Sequence, residues 1–213
     1  MADETAYSYE PALGHGLRHD PFNAIVAPRP IGWISTVSAE GVLNLAPYSF
    51  FNAFNYRPPL VGFASIGRKD TLRNAEATGA FCWNLATRAL AERMNLTSAP
   101  APATVDEFEL VGLTPAPGVR VGAPRVLESP VNFECRVTQL LELKGAEGAG
   151  VDTWMVFGEV VMVHIDQGLL IDDGGYDTAA ARPIVRAGRS GDYYEIGPDA
   201  FFQMRRPDWP IGP

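Results

Sequence analysis

Pro28-Arg29-Pro30-Ile31-Gly32-Trp33-Ile34-Ser35-Thr36-Val37, followed by Gly41-Val42-Leu43-Asn44-Leu45-Ala46-Pro47-Tyr48-Ser49-Phe50-Phe51-Asn52, reads as two apolar strands leading into a polar and aromatic corner. Ile31 to Val37 is the first strand, Ala39-Glu40-Gly41 a turn, and Val42 to Ala46 the antiparallel partner. Asn52 to Pro59 reads as a connection, because Arg57-Pro58-Pro59 fits neither a helix nor a central strand. A third strand, Leu60 to Ala64, runs into Ser65-Ile66-Gly67-Arg68-Lys69-Asp70-Thr71. There Asp70 is placed to cap a short helix that Gly79 ends.

Outward from this stretch, Ala80 to Leu85 is a further strand, and Thr87 caps a helix through Leu96 with Leu90 and Met94 facing inward. Asp106 to Val111 reads as a helical turn. From Val131 to Leu143, apolar residues alternate with Asn132, Glu134, Arg136, Thr138 and Glu142, the pattern of a strand with one wet face. Trp154 to Ile165 returns antiparallel and is apolar on both faces. Residues 1–20 read as an arm or a strap across a neighbouring subunit, and about 200–213 as an extended tail. No linker divides the chain, so 1–213 is expected to be one domain. Seven or eight strands with a few short helices make the expected fold mainly β, an antiparallel closed or partly closed barrel. A Rossmann sheet fits poorly, since no G-x-G-x-x-G follows a strand.

The 213 residues, 46% hydrophobic, suffice for a sizeable core. A net charge of −8 argues against nucleic acid and against an anionic membrane surface. No signal segment or apolar span is visible, and the expected location is cytoplasmic. Cys82 and Cys135 sit in separate apolar runs and read as buried thiols; with so few Cys and His, no metal site is expected.

The chemistry-bearing residues fall in two groups. In Ser65 to Thr71, two hydroxyls, Gly67, the cations Arg68 and Lys69, and Asp70 at a helix start lie within seven residues. Free N–H groups and the helix dipole hold anions at such a place, while an ordinary solvated turn would look the same. At the corner, Ser49 and Asn52 offer donors and acceptors, and Tyr48, Phe50 and Trp33 can either wall a planar ring or fill a core. His164 stands near the end of its strand, and Arg182 and Arg186 bracket Pro183-Ile184-Val185, within reach of a phosphate or of acidic surface. No G-x-S-x-G, Walker or EF-hand pattern occurs.

The order Arg29-Pro30-Ile31, Ser35-Thr36, Gly41, Asn44 to Phe51, then Arg68-Lys69-Asp70-Thr71, with Gly158-Glu159-Val160 and Arg186 to Tyr194, resembles the flavin reductase-like, FMN-binding split-barrel family over residues 20–206. The resemblance implies a homodimer with FMN near the subunit interface. Ser65, Arg68, Lys69 and Thr71 match the family's phosphate segment, with Gly67 and Asp70 inside it. Ser35, Thr36, Tyr48, Ser49, Phe50 and Asn52 match the segments around the isoalloxazine and ribityl chain. Short flavin reductases of two-component monooxygenases often carry Gly-Asp-His before Gly-Glu-Val; here the triplet is Val151-Asp152-Thr153, and His164 is similar to the histidine of a longer subgroup.

The expectation is an FMN-dependent oxidoreductase using NADH or NADPH, with His164 near the hydride donor, and a monooxygenase or other electron acceptor as partner. An FMN-binding electron-transfer protein without a nicotinamide site, and a split-barrel module for another ligand, stay open beside it.

Overall fold

Leu43–Tyr48 and Phe51–Tyr56 are consecutive strands separated only by Ser49 and Phe50, yet they stand at opposite ends of one seven-stranded sheet. A sheet whose two end strands are joined by two residues must curl on itself, and this one forms a split antiparallel barrel. The computed structural model describes residues 5–207 and 209. In chain order the elements are the one-turn helix α1 (Phe22–Ile25), β1 (Arg29–Pro30), β2 (Gly32–Val37), β3 (Leu43–Tyr48), β4 (Phe51–Tyr56), β5 (Pro59–Ile66), α2 (Asp70–Thr78) and β6 (Ala80–Asn84). Then follow α3 (Ala91–Leu96), α4 (Glu107–Val111), β7 (Pro115–Ala116), β8 (Arg125–Val126), β9 (Val131–Lys144), β10 (Gly150–Ile165), β11 (Ile184–Arg186) and β12 (Tyr193–Glu195). The barrel order is β3-β2-β6-β9-β10-β5-β4, while β1, β11 and β12 form a small separate sheet.

Strand β2 is buried on both faces, which explains why it shows no apolar–polar alternation and why Ser35 and Thr36 are buried within it. Ile34 points into the barrel with Tyr48, Phe63, Leu72, Phe81 and Val156. Its neighbour Trp33 turns to the opposite layer, where Leu45, Leu90, Met94, Phe108 and Val126 pack. Cys82 and Cys135 are free and buried, and burial pushes both thiols well above their ordinary pKa.

Three expectations are corrected. Asn52 to Pro59 is not a connection: Phe51–Tyr56 is an edge strand paired with β5, and Pro58 sits at the bend between them, where no ladder N–H is required. Lys69, not Asp70, stands at the N-cap of α2, and it gives no side-chain cap bond; Asp70 instead meets Arg73 one turn on. The wet face of β9 begins only at Arg136, because Asn132 and Glu134 are buried beneath the 117–126 segment. Helix α4 follows the sequence, with Asp106 accepting from the N–H groups of Phe108 and Glu109. In the described part of the arm, residues 5–20, and in the tail at 201–207, little regular structure forms; residues 1–4, 208 and 210–213 lie outside the described residues.

The close approach of β10 to β6 needs a glycine at 158. A Cβ there would lie 2.5 Å from the Phe81 ring and 2.9 Å from the Cys135 Cβ. Gly158→Ala is therefore expected to lower stability by about 1–3 kcal/mol. Urea unfolding checks this, and an unchanged midpoint would contradict it.

Candidate functional site

Strand β5 ends at Ser65 and Ile66, and Gly67, with φ near +77°, turns the chain into α2. The turn is held from two sides: the Gly67 N–H donates to the Asp152 carbonyl (2.8 Å), and the Ser65 hydroxyl donates to the Gly67 carbonyl (2.8 Å). Thr36 and Asn44 brace it from below. Asn44 Nδ2 donates to Thr71 Oγ1 (2.8 Å) and Thr36 Oγ1 (3.2 Å), and Asn74 Nδ2 also donates to Thr36 Oγ1 (3.1 Å).

What this frame presents is positive and incompletely partnered. The first turn of α2 receives no side-chain cap. Arg68 lies 4.8 Å over the Trp154 ring and pairs with Glu76, and Arg73 pairs with Asp70. Lys69 is exposed and, among the described residues, its ammonium has no hydrogen bond or ion pair; only its backbone bonds, to the Gly67 carbonyl and from the Arg73 N–H. Two buried polar atoms also lack a well-formed hydrogen bond, the Tyr48 hydroxyl and Trp154 Nε1. Trp154 reaches the site because β10 sets it opposite Ser65. The Tyr48 ring packs 4.7 Å from Phe63 inside the barrel, and its hydroxyl lies beside those of Thr71 and Ser65. Burial raises the phenol pKa, the two hydroxyls oppose that rise, and the Asp70 and Glu107 charges add to it.

An uncapped helix start, a free ammonium, a guanidinium and two orphaned buried donors fit the phosphate and polar chain of FMN. A cleft of about 510 Å³ on the flank of α2 is lined by Glu40, Asp70, Glu107 and Arg73, and its three carboxylates against one guanidinium, itself paired with Asp70, make it unsuited to an anion. Beyond Tyr48 the corner changes character. Ser49 and Phe50 are half-buried, Asn52 is exposed, and Phe51 stacks on Trp83 with centroids 5.6 Å apart and planes 6° from parallel. Ser49 and Arg186 share a cleft of about 350 Å³ with Ile31, Pro47, Tyr48 and Tyr193.

The residues singled out from the sequence thus separate. Ser65, Gly67, Arg68, Lys69, Asp70 and Thr71 converge on the start of α2, with the Tyr48 hydroxyl behind them. Ser49 and Arg186 meet in the neighbouring cleft. Trp33 is fully buried, its Nε1 donating to Thr97 Oγ1 (3.1 Å), and Ser35 is fully buried between the Pro124 carbonyl and Asn84. Thr36 supports α2 from within. His164 stands ten residues along β10 from Trp154, roughly 30 Å of strand. There its Nε2 lies 2.6 Å from Glu134 Oε1.

Sequence reasoning missed Trp154 and the bracing role of Asn44, both of which depend on strand register. It also missed Glu134, whose alternation pattern resembled a solvent face. Burial disfavours the Glu134 charge, but the N–H of Val119, His164, and the N–H groups of Arg120 and Val121 outweigh it and hold the carboxyl below its ordinary pKa.

Against this geometry stand the comparisons with known proteins. A family model described as "Flavin reductase like domain" matches residues 26–180. An uncharacterized protein of Aquifex aeolicus is 37% identical over 175 residues, covering 80% of this chain and 85% of that one. The crystal structure of nitrilotriacetate monooxygenase component B from Bacillus cereus superposes with a TM-score of 0.82 at 30% identity, covering 92% of this chain and 98% of that one. Flavoredoxin of Desulfovibrio vulgaris (Miyazaki F) gives a TM-score of 0.74 at 26% identity, covering 84% and 91%.

Proposed function

The chain belongs to the flavin reductase-like domain family, and from that premise we propose that it is an FMN-binding oxidoreductase that uses NADH or NADPH to reduce its flavin. The observation that carries this reading is the uncapped start of α2, where the unpaired Lys69 and the stacked Arg68 await a phosphate. When bound, FMN supplies the redox chemistry by accepting a hydride from the nicotinamide. The protein's part is positional. Lys69, Arg68 and the first-turn N–H groups hold the phosphate, Thr71 and Ser65 line the polar chain, and Ser49, Phe50 and Asn52 border the ring. The Thr36–Asn44–Thr71 network keeps this frame rigid.

A homodimer completes the proposal. Phe54 and Tyr56 on edge strand β4, and Phe201, Phe202 and Met204 on the tail, are all more than half exposed in one chain, and a second copy would cover such surface. The similarity to component B of nitrilotriacetate monooxygenase supports a monooxygenase as the consumer of reduced flavin. The similarity to flavoredoxin supports the second reading, an electron carrier reduced by another protein. Among the described residues no helix is long and apolar enough to cross a membrane.

One experiment separates the readings. The purified protein is expected to bind FMN, and its visible flavin absorbance is expected to bleach anaerobically on addition of NADH or NADPH. Bleaching by dithionite but by neither nucleotide would favour the carrier; failure to bind FMN at all would contradict both.

A further inference from the structure

Two arginines lie side by side across from the corner. Strand β1 pairs with β11 so that Arg29 sits opposite Arg186. Arg29 is only 8% exposed, and every acceptor it meets is a backbone carbonyl: Ser49 (3.2 Å), Asn23 (2.6 Å), Val26 and, at 3.4 Å, Ala187. Its charge is therefore buried without a carboxylate, and burial first, then the Arg186 charge, lowers its pKa. Arg186 is half-buried and stacks 4.8 Å over the Tyr193 ring. Among the described residues it has no ion pair or hydrogen bond beyond its strand ladder.

The carboxylates of the same hairpin are engaged elsewhere. Glu195 pairs with Arg182, and Asp192 accepts from the Arg189 N–H. The cleft of about 350 Å³ that Arg186 shares with Ser49, Asn95, Ser98 and Tyr193 is lined by no Asp or Glu. In a chain of net charge −8, a cleft lined by one free guanidinium, with a second guanidinium buried on the paired strand and no Asp or Glu in its lining, is suited to an anion. A second cleft, of about 510 Å³, adjoins it through Asn95, Gly191 and Tyr193 and adds Arg88, Met94 and Tyr194 together with the carboxylates Glu92 and Glu195, the latter paired with Arg182, so the anion belongs on the Arg186 side. The combined space extends from the corner at Ser49 well past the room one small anion needs.

We infer that Arg186, backed by Arg29, is a second anion site separate from the start of α2, and that it takes the pyrophosphate of a nicotinamide dinucleotide whose ring lies toward Ser49. This rests on the reductase reading for its ligand. The guanidinium fork suits paired phosphate oxygens, and Arg29 holds the site together by clamping the Ser49 and Ala187 carbonyls to β1. Arg186 is thus a substrate-binding residue.

The test uses the full-length chain carrying Arg68→Ala and Lys69→Ala, so that the other cluster is silent. Calorimetric titration with inorganic pyrophosphate is expected to show binding that Arg186→Gln weakens about tenfold or more. Arg186→Lys, which keeps the charge but not the fork, is expected to fall between and decides the matter should the Gln variant not fold. In the otherwise unaltered chain loaded with FMN, Arg186→Gln is expected to raise KM for NADH about tenfold with kcat little changed. The same variant should leave KM for dihydronicotinamide riboside, which has no phosphate, where it was. Pyrophosphate binding indifferent to Arg186, or equal effects on both donors, would overturn the inference. If neither donor reduces the flavin, the reductase reading fails, and the pyrophosphate titration alone still decides whether Arg186 is an anion site.

Discussion

Replacing Arg68 and Lys69 together by alanine is expected to weaken FMN binding about tenfold to a hundredfold while changing riboflavin affinity by less than about threefold. The asymmetry follows from what each ligand presents. FMN carries a dianionic phosphate, riboflavin a hydroxyl, and the two cations stand at the uncapped start of α2 rather than at the aromatic corner. A charge-assisted hydrogen bond contributes roughly 1.5–3 kcal/mol, and the exposure of both side chains places the pair toward the lower part of that range. Lys69 is expected to account for more of the loss, because Arg68 is shared with Glu76 and the Trp154 ring. Added salt should narrow the gap between FMN and riboflavin in the unaltered protein. Fluorescence titration with both flavins measures this, and equal losses for the two would place the phosphate elsewhere.

Glu134→Ala is expected to cost about 3 kcal/mol of stability without removing the flavin site. The carboxylate is fully buried and receives the N–H groups of Val119, Arg120 and Val121 together with His164 Nε2, so its loss strands donors that tie the 117–126 segment to the barrel. His164→Ala removes only one of these contacts and should cost about 1 kcal/mol. The pH dependence has a definite sign. The folded pKa of Glu134 lies below the ordinary 4.5, so its contribution is fully present above that value and is lost as pH falls through the lower, folded one. Urea unfolding between neutral and acid pH is expected to show a drop that Glu134→Ala flattens. If His164 also touches the nicotinamide, its alanine variant will lose turnover in addition to that stability.

The barrel was legible because its signals are local. Alternation in β9, Gly79 after α2 and the helical turn at 106–111 each act within a few residues. The chemistry at residues 65–71 was legible for the same reason, since cations, hydroxyls and a helix start are adjacent in sequence. Pairings across the sheet were not. Ser35 looks like a ligand contact until β6 and β9 place Asn84 and Asn132 beneath it. Glu134 looks solvent-facing until the 117–126 segment folds over it. Tyr48 looks like a wall for a ring until β3 turns its side chain into the barrel toward Phe63. Arg29 and Arg186 are 157 residues apart, and only the β1–β11 register brings them together.

The most direct test of the account is the position of the phosphate in crystals grown with FMN. Density is expected at the start of α2, with phosphate oxygens about 2.7–2.9 Å from Lys69 Nζ and within hydrogen-bonding reach of the first-turn N–H groups. A phosphate found against Arg186, or anywhere that leaves Lys69 facing solvent, would contradict it.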